Sequence, residues 1–192
     1  MTEPEVAAAD ALLKRLNVHF VVIGGQAVAR AAATATHDVD VMVATDDFGK
    51  TVRWLRAEKE LAFDWENEQL ARFRILSLGG VPLDVINSAA FSGTKTGEEF
   101  FRFLAHEGAT GADGIAYAIP EVVWYTRLMT KRWKSYAEKI VTNVIDGVDA
   151  GRLGKVEEIA RRFGTEATIQ VRLAYVREEL ARPDIRSLVR RP

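Results

Sequence analysis

Three carboxylates and a glycine pair are the residues of this chain best suited to chemistry. His37-Asp38-Val39-Asp40-Val41-Met42-Val43 alternates polar with apolar residues, the period-two pattern of a half-buried strand, so Asp38 and Asp40 share one face. At a rise of about 3.3 Å per residue they stand roughly 6–7 Å apart along the strand. That spacing suits the grip of one Mg2+ (or Mn2+), or of two with help from a third oxygen donor. The alternative is a solvated strand face, against which stands the scarcity of Asp in strands. Val81-Pro82-Leu83-Asp84-Val85-Ile86 then places a charge where a core residue belongs. A buried, unpaired carboxylate is costly, so Asp84 is expected to meet a metal, a transferred proton or a cation, unless its strand is an edge and it faces water. Arg72 and Arg74 alternate on the preceding strand, placed either to pair with the acids or to contact phosphate.

Gly24-Gly25 follows the apolar run Val21-Val22-Ile23 and precedes the small, helix-prone stretch Gln26 to Ala33, which sets the pair on a strand-to-helix turn. Glycine lets the backbone come close to an anion, and the free amides and positive end of the next helix would face it. Alone, such a pair reads equally as a tight turn. Order along the strand separates the acids from two other uses of Asp-x-Asp. Haloacid-dehalogenase phosphatases and GT-A glycosyltransferases carry the pair at the end of an apolar strand. Here Ala-Thr-Ala-Thr-His precedes it and Val-Met-Val follows. No Gly-x-x-x-x-Gly-Lys-Ser/Thr occurs, which excludes a P-loop.

Glycines after one strand, Asp-x-Asp at the start of the next and a third acid on a later strand resemble the DNA polymerase β-type nucleotidyltransferase superfamily. Twelve residues separate Gly25 from Asp38, in keeping with that signature. Ile-Gly-Gly-Gln-Ala-Val-Ala-Arg with Ala-Thr-His-Asp-Val-Asp-Val is similar to the AbiEii and MenT nucleotidyltransferase-like toxins, in which a Ser or Thr commonly stands two residues before the first acid. Thr36 holds that place. The resemblance implies an essential lysine on a helix and a further aspartate, matched by Lys131 and Asp146, fifteen residues apart. It also implies a mixed β-sheet flanked by helices (α/β, α+β) followed by a C-terminal helical lobe, with an NTP as substrate. Asp38, Asp40 and Asp84 would hold metal, Gly24, Gly25, Thr36, Lys131 and Arg132 would bind nucleotide, and the acceptor would be a tRNA 3′ end. A cognate antitoxin, in some relatives a kinase, would restrain such a toxin, and Thr36 is the expected phosphorylation site. Antibiotic nucleotidyltransferases of the aminoglycoside or lincosamide kind, protein adenylyltransferases and a non-catalytic nucleotide-binding module are the competing classes.

The elements that must position these residues are legible in outline. Strands are expected at Val18 to Ile23, His37 to Val43, Ala71 to Leu78 and Val81 to Ile86. Helices are expected at Glu3 to Leu16, Gln26 to Ala33 and Asp46 to Lys59, the last capped by Asp46 or Thr45. Beyond Phe91 the pattern turns helical, at Gly97 to Glu107, from Pro120 through Trp133, and at Ser135 to Gly147, Leu153 to Phe163 and Glu166 to Ala181. The glycine-bearing stretch Thr94 to Asp113 suggests a loop near the site. The expected division is a catalytic lobe over 1–115 and a helical lobe over 116–192. Lys131 and Arg132 would end a helix, whose negative pole also suits cations, and Asp146 near the end of the next needs a partner such as Lys131, a metal or the nucleotide. Trp124, Tyr125, Trp133 and Tyr136 read as packing residues more readily than as base-stacking ones.

Composition sets the remaining bounds. With 192 residues, 48% of them hydrophobic, the chain can bury a catalytic core and a small helical one. It has no cysteine and three histidines, which removes disulfides and thiolate zinc sites and fits a reducing cytoplasm. No apolar run of membrane-spanning length occurs, so no membrane partner is expected. Residues 1–120 carry 11 basic and 17 acidic side chains, a net of −6, whereas 121–192 carry 15 and 10, a net of +5. A cationic half beside an acidic site suits a polyanion such as RNA; ordinary helix-surface charge is the alternative.

Overall fold

The computed structural model describes residues 4–29, 38–58, 63–65, 72–78 and 80–184. It divides into two compact units, Met1–Ile119 and Pro120–Pro192.

The first unit is a mixed α/β arrangement around a seven-stranded sheet. Helix α1 (Pro4–Arg15) buries Val6, Ala9, Leu12 and Leu13 along one stripe and stops in a Schellman motif. Asn17 takes a φ of 52°, while the Val18 and Asn17 amides bond back to Leu13 and Lys14 at 3.0 Å each. The chain then runs through β1 (Phe20–Ile23), α2 (Gly24–Ala29), β2 (Val39–Val43), α3 (Thr45–Ala57), β3 (Phe63–Trp65), β4 (Arg72–Leu78) and β5 (Val81–Asn87). A 3-10 turn (Ser88–Phe91), α4 (Gly97–Glu107), β6 (Ala109–Thr110) and β7 (Ala116–Tyr117) complete the unit. The strand order is β3-β4-β5-β2-β1-β7-β6, with β2 and β5 parallel and β1 antiparallel to β2. Val39, Val41, Val43, Phe73, Ile75, Leu83 and Val85 point to one face and form a core with α1 and α3 residues such as Leu13, Phe48 and Leu55. Alternation then forces the intervening polar residues to the opposite face.

Several expectations are corrected. Ala44, with no side-chain bond, occupies the cap of α3. Thr45 is the first residue of that helix, and its hydroxyl donates to Asn87 Oδ1 at 3.1 Å instead. Helix α4 keeps the expected bounds, Gly97 to Glu107, and begins with a capping box between Thr96 and Glu99; of the stretch Thr94 to Asp113, residues 94–96 and 108–113 lie outside it, with β6 at Ala109–Thr110. Strand β7 pairs in parallel with β1 through Tyr117 and Val22, so the sheet extends past residue 115 and the division falls at Pro120. Residues 30–33, where the second helix was expected to continue, lie outside the described residues, as do Thr36 and His37.

The second unit is helical: α5 (Pro120–Met129), α6 (Trp133–Ile145), α7 (Arg152–Arg162) and α8 (Glu166–Ala181). Tyr125, Leu128, Val156, Phe163, Ile169, Leu173 and Val176 are buried in it, with the Tyr125 and Phe163 rings 6.4 Å apart and the Tyr125 hydroxyl 3.1 Å from Thr165 Oγ1. Helix α5 was expected to reach Trp133 but ends at Met129. The Thr130 hydroxyl donates to the Arg127 carbonyl at 2.9 Å. Arg172 of α8 donates through Nη1 to the carbonyls of Leu128 and Thr130, satisfying the helix end from outside. No helix among the described residues is long and apolar enough to cross a membrane.

Candidate active site

Sheet register assembles the site. Ile23 pairs with Asp40, Asp40 with Asp84, and Asp84 with Arg74, so one row crossing four strands carries two acids and an arginine. Neighbours in a row project to the same face, and residues two positions along a strand join them. Asp38, just before β2, and Arg72, on β4, therefore belong to the same patch. One carboxylate oxygen from each of Asp38, Asp40 and Asp84 lies within 4.8 Å of the others. The expected triad is thus brought together, with Asp38 and Asp40 half-buried and Asp84 fully buried.

Asp84 meets two cations. Arg74 donates through Nε to Oδ1 at 2.8 Å and through Nη2 to Oδ2 at 2.6 Å, the forked geometry in which guanidinium holds carboxylate best. Arg72 Nη2 adds a bond to Oδ2 at 2.7 Å. Arg74 Nη2 also stands 3.6 Å from Asp38 Oδ2. The burial of Asp84 is compensated by these bonds, and of the two roles open to the arginines, pairing with the acids is observed. Three carboxylates and two guanidiniums leave one net negative charge on the patch.

Gly24 has a second task beyond a turn. Its φ is +67°, a conformation that costs an L-residue about 1–2 kcal/mol. A Cβ built on it would overlap Asp40 Oδ2 and stand 2.7 Å from Asp40 Cγ. The carboxylate of Asp40 is seated where the side chain of residue 24 would be. Gly25 follows in α2.

The donor set is all oxygen and all carboxylate, which matches a hard divalent cation such as Mg2+ or Mn2+. Oδ2 of Asp84 already accepts two bonds and Oδ1 accepts one, so a single lone pair remains on Oδ1 for a further contact. With Asp38 and Asp40 beside it, the set fits one metal ion.

Apart from Thr36, outside the described residues, the remaining expected residues belong to the second unit. Lys131 and Arg132 are exposed in the turn between α5 and α6, not within a helix. Asp146 is the exposed C-cap of α6, and its carboxylate has no hydrogen-bonding partner among the described residues. Of the aromatic residues, Trp124 and Tyr125 are buried, while Trp133 packs edge-on against Tyr175 at 5.5 Å. Sequence reasoning missed two relationships: the seat that Gly24 gives Asp40, and the bracing of the Lys131 turn by Arg172. Each joins residues far apart in the chain, and no local pattern announces either. The sequence matches no protein-family model and no curated protein.

Proposed function

We propose that this chain is a metal-dependent nucleotidyltransferase that moves a nucleoside monophosphate from an NTP to an RNA end, the tRNA 3′ end foremost, and so acts as a cytoplasmic toxin on translation. The observation that carries the reading is the row in which Asp40, seated on Gly24, lies beside Asp84 and Asp38. Asp38 and Asp40, with Asp84 Oδ1, would hold Mg2+ or Mn2+. When bound, such an ion offsets charge on the triphosphate and on the attacking oxygen. The RNA hydroxyl attacks the α-phosphorus, a P–O bond forms, the bond to the β-phosphate oxygen breaks, and pyrophosphate departs. The hydroxyl proton passes to a carboxylate oxygen of the patch that does not hold the ion; the one remaining lone pair of Asp84 Oδ1 serves either the ion or the proton, not both. The amides of Gly24 and Gly25 serve the phosphates from α2. The resemblance assigns Lys131, with Arg132, to the β and γ groups and gives Asp146 a catalytic part.

A toxin requires restraint, and Thr36, two residues before Asp38, is the position at which an antitoxin kinase would act. A phosphate there would repel the triphosphate. The experiment that tests the whole reading mixes purified protein with total RNA and each labelled NTP, then sizes the product, with Asp38→Ala as control. Label on tRNA that vanishes in Asp38→Ala is the expected result. Label on protein instead of RNA, or on an aminoglycoside when one is added in place of RNA, would reassign the acceptor, and no turnover of any NTP would refute catalysis.

A further inference from the structure

The basic side chains of the second unit fall into two populations. Several on α7 and α8, and in the turn after α8, are neutralised by acids. Arg152 Nη1 donates to Glu121 Oε1 at 2.9 Å, Arg177 Nη1 lies 2.8 Å from Glu157 Oε1, and Arg161 lies 3.6 Å from Glu166. Arg182 meets both Glu179 and Asp184, at 3.0 and 3.3 Å. Lys131, Arg132, Lys134 and Lys139 differ. All four are exposed, and none forms an ion pair among the described residues. They fall within nine consecutive positions, 131–139, where Glu138 is the one acid, leaving a net charge of +3. Like charges spaced three or four residues apart repel each other, so ordinary surface charge would be interleaved with acids, as it is on α7 and α8.

The stretch is nevertheless held in order. Arg172 donates to the carbonyls of Leu128 and Thr130 and lies 5.4 Å from the centre of the Trp133 ring. Lys134 Nζ is 5.8 Å from the same ring. Tyr136 is flanked by Arg127 and Lys139 at 5.7 and 5.6 Å. Trp133 and Tyr136 lie beside Lys134 and Lys139, and the four cations cluster over the turn before α6 and the first two turns of that helix. A chain of phosphates is the natural complement to such a cluster. An acidic protein or a membrane would want an apolar centre as well. The exposed large hydrophobic residues among those described, Leu76 and Val171, lie outside this stretch.

We propose that residues 131–139, braced by Arg172, form the surface on which an RNA phosphate backbone docks. This inference rests on RNA as the acceptor and adds where the second unit grips it. The test is fluorescence anisotropy of the full chain with a labelled single-stranded RNA over a series of KCl concentrations. With no NTP present, the four cations make four phosphate contacts and give a slope of log K against log salt of about −2.8, at about 0.7 per contact. Lys134→Gln with Lys139→Gln, two residues outside the proposed chemistry, should weaken binding and bring the slope to about −1.4. A double variant that keeps the wild-type affinity and slope overturns the proposal, as does a polyglutamate of equal charge that competes as well as RNA. If that variant binds RNA as the wild type does while the wild type still labels RNA, the docking surface is wrong and the activity stands. If wild type binds with the expected slope yet transfers nothing from any NTP, the activity is wrong and the surface stands.

Discussion

Replacing Arg74 by Met measures how the site holds a buried acid. Asp84 is fully buried and accepts three charged hydrogen bonds, of which Arg74 supplies two and Arg72 one. Bonds to charged groups contribute about 1.5–3 kcal/mol each, so a loss of about 3–6 kcal/mol is the upper range. The Arg74 side chain is 31% exposed, which lets water replace part of what is removed, and Arg72 remains. The expected cost of Arg74→Met is therefore about 2–4 kcal/mol, within or just under the range for breaking a buried pair. At about 2–4 °C per kcal/mol, a loss near 3 kcal/mol lowers the melting temperature by about 6–12 °C. Arg72→Met should cost roughly half as much. Urea unfolding monitored by tryptophan fluorescence measures both. Combining Asp84→Val with Arg72→Leu and Arg74→Leu should recover most of the loss, because a well-packed apolar cluster replaces the ion pairs without their desolvation cost. A change under about 0.5 kcal/mol for Arg74→Met, or a larger cost for Arg72→Met, would refute the reasoning, since surface ion pairs behave that way.

Three further outcomes follow from the same geometry. Gly24→Ala should weaken Mn2+ binding, read by electron paramagnetic resonance, far more than Gly25→Ala, because only the first displaces Asp40; equal effects would argue against the seat. Burial pushes the Asp47 carboxyl up, but bonds from Lys50 and the His19 amide and the two nearby charges carry it below its ordinary value. Its stabilisation is therefore present above the unfolded value of about 3.9 and is lost as pH falls through the lower folded value. The melting gap between wild type and Asp47→Asn should be constant near neutrality and close below about pH 4, and a gap that persists in strong acid would contradict this. Arg172→Met should loosen the turn after α5, read as faster amide exchange at residues 130–133 with little change in α7; unchanged exchange would remove the brace.

Period-two alternation and apolar runs made the strands around the acids legible, and the same alternation put Arg72 and Arg74 on one face before any pairing was known. Helices with clear punctuation were equally plain: Gly97 to Glu107 and Glu166 to Ala181 agree with α4 and α8 at both ends. Failures occurred where distant residues decide. The end of α5 depends on Arg172, more than forty residues away, while intrinsic helix propensity favours continuation through Lys131. Strands β6 and β7 hold two residues each, too few for any period, and exist because β1 offers an open edge to Tyr117. Gly24 was legible as a turn but not as the floor under Asp40, since that contact needs the β1 and β2 register.

The contact between Gly24 and Asp40 makes the two positions evolve as one. Any side chain entering at 24 must first evict the carboxylate at 40, so the order of substitutions is constrained: the acid has to shorten before the glycine can grow. Gly24→Ala should accordingly be rescued in stability, though not in metal binding, by Asp40→Gly. The rescue stays incomplete by the backbone cost of about 1–2 kcal/mol that a positive φ imposes on alanine. Among descendants of this chain, loss of the glycine would thus mark lineages that had already abandoned the acid.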